Sequence, residues 1–473
     1  MAYLAVLGAI LVFIVGCGGQ PVPTVTPTTV PPSATPEPTA TAVLTPTPEP
    51  TATPMPTPTF SPGIVILPTV AVPTRTPAPI DPLAAMLNQI EDRMTLLREI
   101  FTLESLDREF ITTADLRERL QEDFEEDREE ILEIQQLYAT LGILDEDTDF
   151  FDLLVGLYGD TVLGFFDTDE EKIYIVKDAP DFGPNDVLTY AHEFTHGLQQ
   201  QRFDIKAISD AVEGNSDKSR AIRGLIEGDA SLAQAIYMFQ HLSQEEQAEA
   251  QQSAPSPSNA FQSAPHVIQR TIAFPYVEGL QFAVSLLIET NSWDIVNQAF
   301  DEPPQSTEQV LHPEKYLDKD NREEPIKVEL ADIQAALGEE WTQVSQDTLG
   351  EFILLVYLEM GVSREQAFIA AEGWGGDSYS LLKNTQDESL LVWKVVWDSE
   401  DDAREFFDAF QGLMQAISGE DWEAVDGDDA SRLMNLTNQS IYLNIDALDT
   451  LMIFAPDVDT LEAARKAVSR KAG

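Results

Sequence analysis

The chain has 473 residues with 43% hydrophobic content, enough material for a core in two or three domains. Its formal net charge of -54, from 82 acidic against 28 basic side chains, repels phosphate backbones and argues against nucleic acid as a partner. A single cysteine rules out an internal disulfide.

That cysteine, Cys17, closes an apolar run, YLAVLGAILVFIVGC, too short to span a bilayer comfortably but matching the core of an export signal. The last four residues, Ile14 to Cys17, resemble a bacterial lipobox, which implies a lipoprotein-type signal peptide over 1–17 and lipidation of Cys17. No Lys or Arg precedes the apolar core, so a plain signal peptide or short anchor is the alternative. Either way the protein is expected to be exported, lipid-anchored to the outer face of the cell membrane or secreted. Residues 18–80 repeat Thr and Pro, as in TPTPEPTATPMPTPTF. Proline fixes φ and withholds N–H groups, so this segment is expected to be a disordered, extended stalk.

From Leu83 to Leu141 apolar residues such as Leu87, Ile90, Met94, Leu116, Leu120 and Phe124 recur at helical spacing, predicting two or three amphipathic helices. The acidic run Glu122 to Glu130 reads as their solvated face. The period changes at TVLGFFDTDEEKIYIVKD, where two β-rich runs flank the turn Thr168 to Glu171 and predict a hairpin. Pro184 with Asn185 or Asp186 then starts a helix whose stripe, Val187, Leu188, Ala191, Phe194 and Leu198, is that of a core element. Further helices are expected over 219–242, 277–289 and 294–300, with a mobile low-complexity loop, QQSAPSPSNAFQSAP, between the first two. Beyond Val328, helices over 347–360 and 363–371 precede a strand and helix in SLLVWKVVWDSEDDAREFFDAFQGLM, strands near Ile441 and Leu451, and a last helix from Asp459.

The helix starting at Pro184 carries YAHEFTHGLQQQ. His192 and His196 fall on one face, so both imidazoles can meet one ion, and Glu193 lies beside that ion without ligating it. A carboxylate so placed can take a proton from water activated by a metal. The alternative is a core histidine pair. A metzincin would need histidine and glycine where this chain has Arg202 and Gln199, which excludes that family. A catalytic site needs a third protein ligand, and Glu227 in RAIRGLIEGDASLAQAIYMF is the economical choice, since a carboxylate among Leu225, Ile226, Ala230 and Leu232 must be compensated. An ordinary Arg223 to Glu227 helix pair is the alternative.

HEFTH followed in the next predicted helix by EGDA resembles the gluzincin class of zinc metallopeptidases. The stretch from the hairpin to about Tyr316 resembles uncharacterised exported bacterial proteins carrying both motifs. The resemblance implies Zn2+ held by His192, His196 and Glu227, Glu193 as general base, and a peptide or protein substrate. Asp229 is then placed to orient a ligand imidazole, or else to cap a helix turn. Such a hydrolase also supplies a donor to the developing oxyanion. His312, between Leu311 and Pro313, is the candidate, with Tyr276 and Tyr316 behind it and a structural loop role as the alternative. AAEGWGGDSY, with Trp374 and Asp377, reads as a tight turn around a buried tryptophan rather than a ligand pocket.

The expected architecture is α+β. A mainly helical, zincin-like metallopeptidase domain over 81–326, with a β-hairpin or small sheet before the HExxH helix, is followed by a small α+β domain over 327–473. The expected function is a membrane-anchored zinc-dependent peptidase. The rival is a non-catalytic cell-surface binding module with a structural or vestigial metal site, which would have no need of a carboxylate at Glu193.

Overall fold

A computed structural model describes residues 81–469 apart from 146, 180, 213, 254–256, 320, 321 and 426. Cys17, the signal segment and the stalk lie outside the described residues.

The helical periodicity of the first stretch becomes three helices, Pro82–Arg98, Thr113–Glu126 and Arg128–Thr140, and a fourth, Phe150–Thr161, follows beyond it. The second is opened by a capping box, in which Thr112 accepts from the Asp115 N–H while the Asp115 carboxylate accepts from Thr112. The acidic run around its end faces solvent, except that Phe124 and Asp127 turn inward. Three strands, β1 (Asp107–Ile111) between the first two helices, β2 (Gly164–Asp167) and β3 (Lys172–Val176), form a sheet in the order β1-β3-β2. The expected hairpin is β2 and β3, antiparallel around the predicted turn. β1 adds in parallel to β3 as an edge strand. Its sequence, DREFI, alternates poorly because most of it stays exposed.

Pro184–Phe203, the motif helix, begins as expected with proline in its first turn, where the missing N–H costs nothing, and Asp186 accepts from the Gly183 N–H at 2.7 Å. It is buried on every side from Leu188 to Gln199. Ser216–His241, the EGDA helix, packs on it and on a third long helix, His266–Thr290. The latter starts well before the expected residue 277 and carries Pro275 internally. Its length and apolar composition would suffice to cross a membrane, yet Phe274, Phe282, Ala283 and Leu286 are fully buried against this fold. Glycine sets how closely the last two helices cross. A Cβ at Gly228 would lie 2.1 Å from the Gly279 carbonyl oxygen, so the two backbones touch. Within the expected loop, residues 251–253 end the helix Gln244–Ser253 and Asn259–Ser263 is a short helix, while 254–256 lie outside the described residues.

The C-terminal region is a seven-stranded antiparallel sheet with strands β4 (Trp341–Asp347), β5 (Trp374–Asn384), β6 (Ser389–Trp397), β7 (Glu423–Val425), β8 (Asp428–Asn435), β9 (Ser440–Asp446) and β10 (Asp449–Ala455). They lie in the order β4-β5-β6-β10-β9-β8-β7. SLLVWKVVW is nearly all apolar because both faces of β6 are covered. Leu391, Trp393, Val395 and Trp397 join the core that also holds Phe406 and Phe410 of Glu400–Ser418, whereas Leu390 and Val392 face Leu461 and Ala464 of Val458–Ser469. The mixed α+β class expected from sequence is what the structure shows. Trp374 is fully buried as expected, but AAEGWGGDSY is not a tight turn. Ala370 and Ala371 end the helix Arg364–Ala371, Glu372 and Gly373 turn, the latter at φ +82°, and Trp374 to Tyr379 begin β5.

The residues from Pro82 onward form one compact unit. A pair of buried carboxylates holds the EGDA helix to the sheet region. Asp217 accepts from Thr307 through its N–H, at 3.1 and 3.3 Å, and its hydroxyl, at 2.5 Å. It rests against Gly350, where φ is +81° and a Cβ would lie 1.7 Å from Asp217 Oδ1. Asp377 of β5 accepts from the Leu349 and Gly350 N–H groups at 3.0 and 2.8 Å and from the Trp374 and Trp393 indoles at 3.0 Å each. Burial pushes Asp217 up to about 7 and Asp377 up to about 6, against the donors around each.

A folded-state pKa above the unfolded value of about 3.9 means that the folded protein binds the proton more tightly. The stabilisation is therefore complete below about pH 4 and is lost as pH rises through about 7 for Asp217. The thermal midpoint of the metal-free protein is expected to rise as pH is lowered from about 8 to about 5, and Asp217→Asn to flatten that slope. Scanning calorimetry across this range checks it; an unchanged slope in the variant contradicts the assignment.

Candidate metal centre

The motif helix projects His192 and His196 from one face, their rings 4.7 Å apart between centroids and close to perpendicular. Glu227 enters from the EGDA helix. Its Oε2 lies 3.1 Å from His192 Nε2 and 3.4 Å from His196 Nε2. Among the described residues these three side chains form a cluster whose ligand atoms all lie within 4.8 Å of one another. Two atoms bound tetrahedrally at roughly 2.0–2.1 Å to one zinc ion would be about 3.3 Å apart, so the His–Glu separations suit that ion. Two nitrogens and a carboxylate oxygen are also the donor set of catalytic zinc.

Electrostatics inside the cluster follow from burial and mutual charge. Burial pushes the Glu227 carboxyl up, but the imidazoles, His196 foremost, outweigh it and hold Glu227 well below the usual range. Burial lowers the His196 pKa, yet the Glu227 charge and hydrogen bond carry it up to about 9. His192 is lowered, chiefly by burial. Glu193 is fully buried, and no side chain hydrogen-bonds its carboxylate, which has only the Phe166 backbone N–H nearby. Burial, partly offset by His196, raises its pKa well above the ordinary value. A carboxylate in such a setting is poised to exchange a proton rather than to hold a fixed charge.

A cavity of about 60 Å³ reaches His196 and Glu227. Phe166, Ile205, Val212, Ile222 and Ile226 form its apolar wall, with Arg223 beside Glu227. Its size admits a few water molecules.

Tyr276 also belongs to this site. It comes from His266–Thr290, three residues before the Gly279 contact, and its ring centroid is 6.4 Å from that of His192. Burial, reinforced by the Glu227 charge, raises its pKa well above the usual value, so it remains a hydrogen-bond donor.

His312 is elsewhere. Its Nε2 is 2.8 Å from Glu351 Oε1 and its ring packs near Phe368, at the junction of Thr307–Leu311 and Pro313–Leu317. It neither lines the cavity nor meets the histidine pair, which corrects the oxyanion role expected for it. A buried acid drew this histidine into a structural pair. Tyr316 is likewise committed, donating to the Glu302 carbonyl at 2.9 Å. A second acidic group, Glu308, Glu323 and Asp398, has the Lys315 ammonium at 2.6, 3.1 and 3.1 Å, so the chain provides its own cation there.

Asp229 does not touch a ligand imidazole, as was expected, but acts one residue removed. Its Oδ2 accepts from Gln199 Nε2 at 2.8 Å, and Gln199 Oε1 faces His196 Nδ1 at 2.8 Å. From sequence Gln199 stands out only as the residue in place of a metzincin glycine, and its position three residues after His196 on one helix is the signal for a supporting role. Arg98, which pairs with Asp229 at 2.8 Å, gave no signal, because a basic residue in a last helical turn is ordinary.

A family model described as "Domain of unknown function (DUF8575)" matches residues 339–465, the part that runs from β4 into the last helix. The His192, His196 and Glu227 cluster lies outside that match. No curated protein and no solved structure matches the chain.

Proposed function

We propose that the protein is a zinc-dependent peptidase of gluzincin type. The observation that carries this reading is the convergence of two imidazole Nε2 atoms and a carboxylate oxygen beside Glu193, a buried carboxylate that no side chain hydrogen-bonds. A zinc ion held by His192, His196 and Glu227 would polarise a peptide carbonyl and make water acidic enough to lose a proton near neutrality. Glu193 accepts that proton at a carboxylate oxygen and returns it to the leaving amine nitrogen. The raised Glu193 pKa serves both transfers, because the group gives the proton back as readily as it takes it. Tyr276 donates its hydroxyl proton in a hydrogen bond to the oxygen on which negative charge develops, the role first expected of His312.

The test is metal removal. Purified protein is expected to hydrolyse a generic unfolded protein, to lose that activity on exhaustive chelation, and to regain it with zinc alone. Tyr276→Phe should retain zinc while turnover falls by about 10² to 10³, the usual effect of losing one oxyanion donor. Full turnover by metal-free protein overturns the proposal, and full turnover by the Tyr276 variant removes the donor role.

A further inference from the structure

We infer that Gln199 is a positioning residue for His196, anchored by the buried Arg98–Asp229 ion pair, and that this chain of contacts selects the imidazole tautomer whose Nε2 is free to bind a divalent cation. The inference rests on the metal-centre reading above and concerns which nitrogen of one ligand this chain leaves to the ion.

The orientation of the Gln199 amide is decided by its neighbours. Its Nε2 lies 2.8 Å from Asp229 Oδ2 and 3.0 Å from the Ile226 carbonyl oxygen. Both can only accept, so the NH2 end must face them and the oxygen must face the other way. That oxygen is 2.8 Å from His196 Nδ1, and an amide oxygen can only accept. Nδ1 therefore carries a proton whether or not the ring is charged, and when the ring gives up its other proton the lone pair appears on Nε2, the atom that looks toward Glu227.

The far end of the chain is rigid. Asp229 Oδ1 accepts from Arg98 Nε at 2.8 Å, and both side chains are fully buried. The Arg98 guanidinium lies 4.3 Å from the centroid of the Trp293 ring, whose indole N–H donates to the Leu97 carbonyl at 2.8 Å. A charged pair buried this fully is strengthened by its low-dielectric surroundings, so Asp229 keeps its direction and hands it to the amide. Without the amide, His196 would be free to turn or to present the other nitrogen, and coordination would have to order it first.

Zinc affinity of the full chain, measured by competition with a chelating dye on metal-free protein, tests this. Gln199→Leu is expected to bind zinc about 10 to 100-fold more weakly, the range over which such outer partners act. Gln199→Glu combined with Asp229→Asn exchanges amide and carboxylate while keeping an acceptor against His196 Nδ1, and should recover most of the lost affinity. Because Gln199→Leu leaves an acceptor buried beside Asp229 and can impair folding, the wild-type protein supplies a second readout. In cadmium-substituted protein, nitrogen NMR should show cadmium coupling at His196 Nε2 and a slowly exchanging proton at Nδ1. Equal zinc affinity in Gln199→Leu, or cadmium coupling at Nδ1, overturns the inference and leaves the metal centre standing. Failure of the wild-type chain to bind either ion removes the metal centre itself.

Discussion

Glu193→Gln is expected to keep its zinc and its fold while hydrolysis falls by about 10² to 10⁴, the range that a positioned general acid–base contributes. The amide matches the carboxylate in shape but cannot take a proton from water. Retention of fold is expected because no side chain pairs with the native carboxylate, because the amide oxygen can still accept from the Phe166 N–H, and because burial raises the carboxyl pKa toward the neutral form that the amide resembles. The loss should fall on kcat rather than on substrate binding, since the proton moves only as the bond is made. Metal analysis together with turnover of an unfolded protein substrate decides it. Equal turnover by both forms would favour the rival reading, a surface binding module in which the metal is structural.

Glu227→Ala is expected to lose nearly all bound zinc on dialysis, because it removes the one acidic donor and leaves two imidazoles from a single helix. The same change should show in the metal-free protein. His196 is held up at about 9 mainly by the Glu227 charge against the effect of burial, so its titration should move down in the variant. The shift is readable by proton NMR without any metal or substrate. Full zinc occupancy in Glu227→Ala would return the glutamate to a pairing role with Arg223.

Much of the local structure could be read directly. The proline start and buried stripe of Pro184–Phe203, the hairpin before it and the helix after the SLLVWKVVW strand each follow from neighbouring residues, because helical and strand periods are set by the backbone within a few residues. Glu227 stood out for a related reason. An acid among apolar neighbours requires compensation, whatever supplies it. Strand β5 was missed because GWGG looks like a turn, and what makes it a strand is Asp377 and its four donors, two of them indoles from β5 and β6.

The remaining site residues depend on which helices touch. Gly228 against Gly279 brings the backbones together and so carries Tyr276 to the histidine pair, a result no period along either helix contains. His312 looked available as a donor until Glu351, on a helix 39 residues further on, was found against its ring. By itself the sequence determined the HExxH geometry, the acid that meets it and the mixed α+β class, since those rest on short-range backbone order and on the cost of burying charge. Only the tertiary structure decided the donor at Tyr276 and the Gln199–Asp229–Arg98 support, which joins residues 131 apart through contacts that exist once the core has closed around them.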